Sequence, residues 1–167
     1  MTAAVRRAEP RDAAALVKLA QSVGGEPQGW LIASGEWRSA ADERRYLRGV
    51  RRHPHAAVFV AEDDDGIVGR LSIARDPHPA SQHVADIGLM VALWHRREGV
   101  GTALMLAAEE WARRAGISKV ELHVFPYNEP AIAFYSRLGY VEEGFRRRHY
   151  RRGADFLDAV LMAKELE

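Results

Sequence analysis

Arg96-Arg97-Glu98-Gly99-Val100-Gly101-Thr102 stands between an apolar run, Ile87 to Val91, and a long amphipathic pattern, Val100 to Ala115. Strand, polar glycine-containing loop and helix start, in that order, make an anion site. The first N–H groups of a helix have no intrahelical partner, and the aligned peptide dipoles add partial positive charge there. Glycine suits such a loop because a side chain would hold a ligand's phosphates away from the backbone. The stretch reads as a cradle for the pyrophosphate of a cofactor.

The surrounding chain sets the frame for that loop. Its 167 residues suit a single domain, 1–167, large enough to bury a core without staples. A net charge of +1 supplies no global field for nucleic acid or an anionic membrane. Cysteine is absent, which removes disulfides, thiolate metal sites and a cysteine nucleophile, and makes a reducing cytoplasm the natural compartment. Arg6 and Arg7 fall too early for the apolar region of a signal peptide, and no apolar run approaches a membrane span. The expectation is a soluble, cytoplasmic globular protein.

Taken in order, Ala4 to Ala8 reads as a short strand stopped by Pro10. Pro10-Arg11-Asp12 opens a helix with Ala15, Leu16, Leu19 and Val23 at helical spacing, closed by Gly24-Gly25. Glu26 to Glu36 has no clear period yet holds large apolar residues, so it is either a satellite of the core or a substrate-facing lid. Ser39-Ala40-Ala41-Asp42 caps a second helix through Tyr46, Leu47 and Val50. Ala56 to Ala61 and Ile67 to Ile73 form a hairpin across Glu62-Asp63-Asp64-Asp65-Gly66, whose carboxylates read as a solvated turn.

Asp76-Pro77-His78-Pro79 connects to the strand His83 to Val91. Beyond the central loop, Gly116 ends the long helix, with Arg113 and Arg114 in its last turn complementing the dipole. Lys119 to Phe125 is a further strand. Asn128-Glu129-Pro130 starts a helix through Ile132, Tyr135 and Leu138 that Gly139 closes. Tyr140 to Tyr150 and Phe156 to Ala163 make a last hairpin across Arg152-Gly153. With no repeat and no linker, the pattern is one α/β domain.

Three nucleotide sites compete for the central loop. A P-loop requires Lys and then Ser/Thr after its last glycine, whereas Thr102-Ala103 follows Gly101. A dinucleotide fingerprint requires a third glycine where Leu104 stands, and glycines directly after the strand. The third reading is coenzyme A. Arg96-x-x-Gly99-x-Gly101, followed downstream by Asn128-x-x-Ala131-Ile132-x-x-Tyr135-x-x-x-Gly139-Tyr140, resembles the two signatures of the GNAT superfamily of acyl-CoA-dependent N-acyltransferases. The element order and the late stretch Asp158-Ala159-Val160-Leu161-Met162-Ala163 are also similar to small bacterial members. The chain departs from the pattern at Arg97, where many members have a further glycine, and at Leu93, where many have proline.

The resemblance implies a mixed, mainly antiparallel central sheet with a splayed parallel strand pair and about four helices. It implies acetyl-CoA as cosubstrate, gripped by Arg96, Arg97, Glu98, Gly99, Val100, Gly101 and Thr102, with Asn128 adding a contact while also serving as a helix N-cap. The strand before the loop would bulge near Gly88 and offer the backbone of Leu89, Met90 and Val91 to pantetheine, the Val91 N–H polarising the thioester carbonyl. Tyr135 resembles the general acid that protonates the departing thiolate, although its spacing with Ile132 and Leu138 is also that of a core aromatic.

An ammonium acceptor must lose a proton before it attacks, so a base is expected. Asp86 is the best-placed carboxylate, with Glu121 and His123 as rivals. Without a thiol or a Gly-x-Ser-x-Gly elbow, direct attack in a ternary complex is the natural route. The alternative is a non-catalytic acyl-CoA sensor or interaction module of the same fold. No metal is expected, since His53 and His55 alone would not hold zinc. The run Arg146 to Arg152 reads as a solvated hairpin end, with RNA, an acidic substrate or an acidic protein surface as the alternatives. The acceptor, a small-molecule or peptide amine, should sit among Gln28 to Trp37, the second helix and the last hairpin, with Trp30, Trp37 and Tyr150 as walls. The resemblance also allows a homodimer.

Overall fold

Alternation along β4 (Val84–Val91) sorts the core into two layers. Ile87 points to the layer that holds Leu71, Ile73, Leu104 and Tyr135, while Met90 points to the layer that holds Leu16, Leu47, Val58 and Val60. A strand buried on both faces needs apolar residues at successive positions, as Leu89, Met90 and Val91 supply, while Asp86 and Gly88 are exposed on the Met90 face. The computed structural model describes residues 2–33 and 37–167.

Around β4 lie β1 (Ala4–Arg7), β2 (Ala56–Asp63), β3 (Gly66–Arg75), β5 (Lys119–Val124), β6 (Val141–Arg152) and β7 (Asp155–Glu165), in the sheet order β1-β2-β3-β4-β5-β7-β6. Every neighbouring pair is antiparallel except β4 and β5. Helices α1 (Ala13–Gly24) and α2 (Ala40–Arg52) cover the Met90 face, and α3 (Val100–Arg114) and α4 (Glu129–Arg137) cover the other. The mixed, mainly antiparallel sheet with four helices is the architecture expected from the sequence.

Local chemistry explains the element ends. The Ser39 hydroxyl accepts from the Asp42 N–H at 3.1 Å and caps α2. Asn128 caps α4 in the same way, accepting from the Ala131 N–H at 3.3 Å. Pro10-Arg11-Asp12 forms a 3-10 turn before α1 instead of its first turn. Both hairpins run further than their apolar patterns suggested: Asp63 pairs with Gly66, and Arg152 with Asp155. Backbone ladders extend into polar sequence because the two-residue turns, not the side chains, set the pairing. Ser34, Gly35 and Glu36, the end of the loop expected from Glu26 to Glu36, lie outside the described residues.

Two departures shape the site. β4 keeps unbroken register with β3 from Ala85–Arg75 to Val91–Gly69, so the expected bulge near Gly88 is absent. β4 and β5 instead part by ending their ladder early: Val84, Ala85 and Asp86 pair with Lys119, Val120 and Glu121, and no pair follows. Beyond Glu121, β5 stays bonded to β7 out to Val124–Val160, while β4 stays bonded to β3. The two strands are held by their outer neighbours, and a wedge opens between them.

Candidate active site

The wedge is lined by β4 backbone that no longer has a strand partner on the β5 side. The Ala92 N–H donates to Val68 O at 2.8 Å and the Asp76 N–H to Val84 O at 2.9 Å, which makes the even-numbered residues of β4 the hydrogen-bonded partners of β3. Odd-numbered residues therefore present their N–H and C=O toward β5. Past Asp86 that leaves Ile87, Leu89 and Val91 facing the gap. Met90, expected to join Leu89 and Val91 in the wedge, belongs to the β3 ladder through its backbone and to the core through its side chain.

At the foot of the wedge the loop turns into α3. The first helical N–H with a partner is that of Ala103, which donates to Gly99 O at 3.0 Å, so the preceding amides point outward. Gly99, the N-cap, has φ of +85°. Arg97 also takes the left-handed region, at φ +63°, which explains why glycine suits that position. Gly101 has a second role: a Cβ there would stand 3.0 Å from the Phe134 ring of α4. Val100 is buried in the core, so only its backbone is available to a ligand, while Glu98 is exposed and Thr102 half-buried.

Arg96 departs from its expected role. Its Nε donates to Val91 O at 3.1 Å, and its two terminal nitrogens donate to the Glu26 carboxylate at 2.8 and 2.6 Å. It ties the α1–α2 connection to the loop and occupies one of the two free carbonyls nearest the cradle.

A cleft of about 340 Å³ continues from the wedge onto the α1–α2 side of the sheet. Tyr135, Asn128 and Ala131 of the α4 region border it, with Asp86, Gly88 and Leu89 of β4, His123 of β5, Tyr150 of β6 and the indoles of Trp30 and Trp37. Tyr135 is buried and packs edge-on against Phe134 and Tyr140. Desolvation alone pushes its hydroxyl above the usual phenol range, so it stays protonated and able to donate. Core aromatic and proton donor are thus compatible roles.

Asp86 lies across the cleft. Its surface reaches solvent, yet the cleft walls take enough water from it to push its pKa up to about 6, and the charge of Glu121, its partner in the β4–β5 ladder, adds to the rise. Because water still reaches it, the wall effect is smaller than full burial would give. His123 Nδ1 and the Tyr150 hydroxyl share a hydrogen bond of 2.6 Å. Desolvation, with Arg146 and His149 nearby, lowers the imidazole below its ordinary value and keeps it neutral at neutral pH. Burial, with the Asp86 charge, raises Tyr150. Two of the three candidate bases, Asp86 and His123, therefore border one cleft, and Glu121 stands beside Asp86 in the strand ladder.

Several residues of the site had no sequence motif. Arg152 donates to Gly29 O at 3.1 Å and Leu31 O at 2.9 Å, and the Tyr127 hydroxyl to Gly29 O at 2.6 Å, pinning the loop after α1 beside the last hairpin. The described part of that loop is therefore a cleft wall. Within the basic run, Arg148 and Arg151 lie over the Phe156 ring, at 4.4 and 5.7 Å. Asp63 and Asp65 of the acidic turn meet His95, with ligand atoms within 4.8 Å of one another, a grouping that histidine spacing does not reveal. The imidazole Nε2 lies 3.3 Å from Asp63 and 3.1 Å from Asp65. Arg70 carried one faint signal, a charge on the β3 face shared with Ser72.

A parallel strand pair split over an amide-lined helix start, with a buried phenol at the split, is the architecture of an acyl-transfer fold. A model of the acetyltransferase (GNAT) family matches residues 23–140. The chain is 34% identical over 115 residues to the L-amino acid N-acetyltransferase AaaT of Escherichia coli K12, a match spanning 66% of this chain and 69% of that one. Among solved structures, an acetyltransferase of the GNAT family from Streptococcus pneumoniae superposes with a TM-score of 0.88 at 26% identity, covering 99% of both chains. A putative acetyltransferase from Salmonella typhimurium, solved with its cofactor acetyl-CoA, has a TM-score of 0.85 at 18% identity, over 100% of this chain and 95% of that one. The chain belongs to the acetyltransferase (GNAT) family and is an acyltransferase. No helix among the described residues is long and apolar enough to cross a membrane.

Proposed function

We propose that residues 1–167 act as one domain that transfers acetyl from acetyl-CoA to a primary amine by direct attack in a ternary complex. The observation that carries this reading is the open wedge past Asp86 and Glu121, with free amides on one side and the Tyr135 phenol on the other. The cofactor of the Salmonella neighbour supports acetyl-CoA as the donor. In this reading the amides from Arg97 to Thr102 take the pyrophosphate, Asn128 borders the arm, and Leu89 and Val91 pair with pantetheine as an added strand. The Val91 N–H polarises the thioester carbonyl.

Asp86, in its ionised form, takes a proton from the acceptor ammonium, directly or through water. The amine attacks the carbonyl carbon, and the tetrahedral intermediate collapses with loss of CoA thiolate, which takes the Tyr135 proton while the nitrogen's remaining excess proton leaves through water and restores the phenol. The acceptor enters from the cleft walled by Trp30, Trp37 and Tyr150. The E. coli relative's name makes free L-amino acids the first acceptors to try. The cysteine-free composition fits work in the cytoplasm.

Release of free thiol from acetyl-CoA with a panel of amino acids, polyamines and peptide N-termini tests the reading. Turnover that requires one class of amine supports it. Failure of acetyl-CoA to bind in calorimetry rejects it.

A further inference from the structure

A buried guanidinium ordinarily meets a carboxylate in a two-point hydrogen bond, because desolvation is otherwise uncompensated. Arg70 does not. It is 5% exposed, its Nε has no partner, the Tyr46 hydroxyl stands beside it, and the nearest carboxylate, Glu43, lies 3.9 Å away. Glu43 accepts through Oε2 from Arg38 at 2.8 Å and from the Trp37 indole N–H at 3.3 Å, while its Oε1, the oxygen nearest Arg70, has no hydrogen-bond partner. Two guanidinium groups thus share one carboxylate, and the deeper of them borders the cleft beside Trp37, whose ring lies 5.2 Å from it.

Register defines what stands between Arg70 and the reacting end. Arg70 is opposite Met90, Ser72 opposite Gly88 and Ala74 opposite Asp86, so Arg70, Ser72, Gly88 and Asp86 share one sheet face. Four residues of strand separate the Arg70 level from Asp86, on the order of 13 Å. Gly88 and Ser72, both small, occupy the middle. The result is a trough with a cation at one end and a carboxylate at the other. A carboxylate bound at Arg70 holds the short Cα–N arm of an amino acid within the trough, with the amine turned toward Asp86, which takes its proton through water.

We infer that Arg70 is the carboxylate anchor of the acceptor cleft, and that the acceptor is a free α-amino acid held by its carboxylate at Arg70 and its amine toward Asp86. This rests on the acetyl-transfer reading above. A competing role for Arg70 is purely structural, with a water joining it to Glu43.

Kinetics with paired acceptors separate the two. The protein should acetylate a free amino acid at least ~10-fold better in kcat/KM than the amide or methyl ester of the same amino acid, because the anchor's charge-assisted hydrogen bonds are lost with the carboxylate. Arg70→Gln should erase that preference by raising KM for the acid about 10- to 100-fold, while KM for acetyl-CoA and the rate on the amide stay within about 3-fold. Since Arg70→Gln leaves Glu43 buried without its neighbour, the double variant Arg70→Gln/Glu43→Gln, checked for unchanged melting, should show the same loss of preference. Equal use of acid and amide by the unaltered protein overturns the inference, as does an Arg70→Gln effect of equal size on both. If no amine of any kind is acetylated, the acetyl-transfer reading falls. Calorimetry of the amino acid against its amide, on CoA-saturated protein, then still decides the anchor: equal affinities reject it and tighter binding of the acid supports it.

Discussion

Arg96 grips Glu26 through both terminal nitrogens, at 2.8 and 2.6 Å, and so fastens the end of α1 to the loop that starts α3. The pair is part-buried, with Arg96 side-chain exposure of 27% and Glu26 of 11%, and the third Arg96 bond goes to Val91 O. A cation expected to face phosphate is instead a brace between the two halves of the site.

The brace predicts coupled losses. Arg96→Ala and Glu26→Ala should each cost about 1–2 kcal/mol of stability, discounted for partial exposure. In a chain of this size that lowers the melting temperature about 2–4 °C per kcal/mol. A double-mutant cycle in denaturant should return a coupling near the single losses. Acetyl-CoA affinity should weaken alike in both variants. A much larger loss in Arg96→Ala alone would mean that the guanidinium leaves Glu26 for the phosphates.

Tyr135→Phe keeps the edge-on packing against Phe134 and Tyr140 and removes only the hydroxyl. We expect kcat to fall about 100-fold, the lower range for a lost proton donor, with acetyl-CoA affinity and melting nearly unchanged. Undiminished kcat would return Tyr135 to the core.

Asp86 must be ionised to act as a base, and its pKa is pushed up to about 6. The rate should therefore rise with pH through about 6 and level off above it. Glu121→Gln removes a like charge and should move the inflection to lower pH, while Asp86→Asn should abolish it. Stability has the opposite dependence. A carboxyl whose folded pKa is raised above its unfolded value contributes stability below the unfolded pKa and loses it as pH rises through the folded one. Asp86→Asn should therefore gain melting temperature relative to the unaltered protein at pH 7 compared with pH 4. An identical difference at both pH values would contradict the shift.

The loop glycines have opposite needs at neighbouring positions. Arg97 sits at φ +63°, so Arg97→Gly should stabilise the protein by about 0.5–1 kcal/mol, read as melting temperature. Gly101→Ala places a methyl 3.0 Å from the Phe134 ring and should cost about 1–3 kcal/mol. Phe134→Leu in the same chain should recover part of that loss. No recovery would locate the cost elsewhere.

Local chemistry was legible in the chain itself. Ser39 and Asn128 read as helix caps, the glycines of the central loop as backbone devices, and the periods as strands and helices, because each depends on residues within a few positions. The two spaced signatures led to the family for the same reason: backbone amides at a helix start need only the right loop beside the right strand. Interactions across long stretches of chain were decided by tertiary structure. The Glu26–Arg96 brace, the buried Arg70 with its unpartnered Nε, the meeting of Asp86 with His123 and Tyr150, and the transfer of Met90's backbone to the β3 ladder all depend on register and on which neighbour holds each strand. Sequence supplies a charge at position 96 or 70, but its partner is set by where the sheet and the loops converge. The opening between β4 and β5 is the clearest case: each strand alone looks continuous, and the gap exists because β3 and β7 pull them apart beyond Asp86 and Glu121.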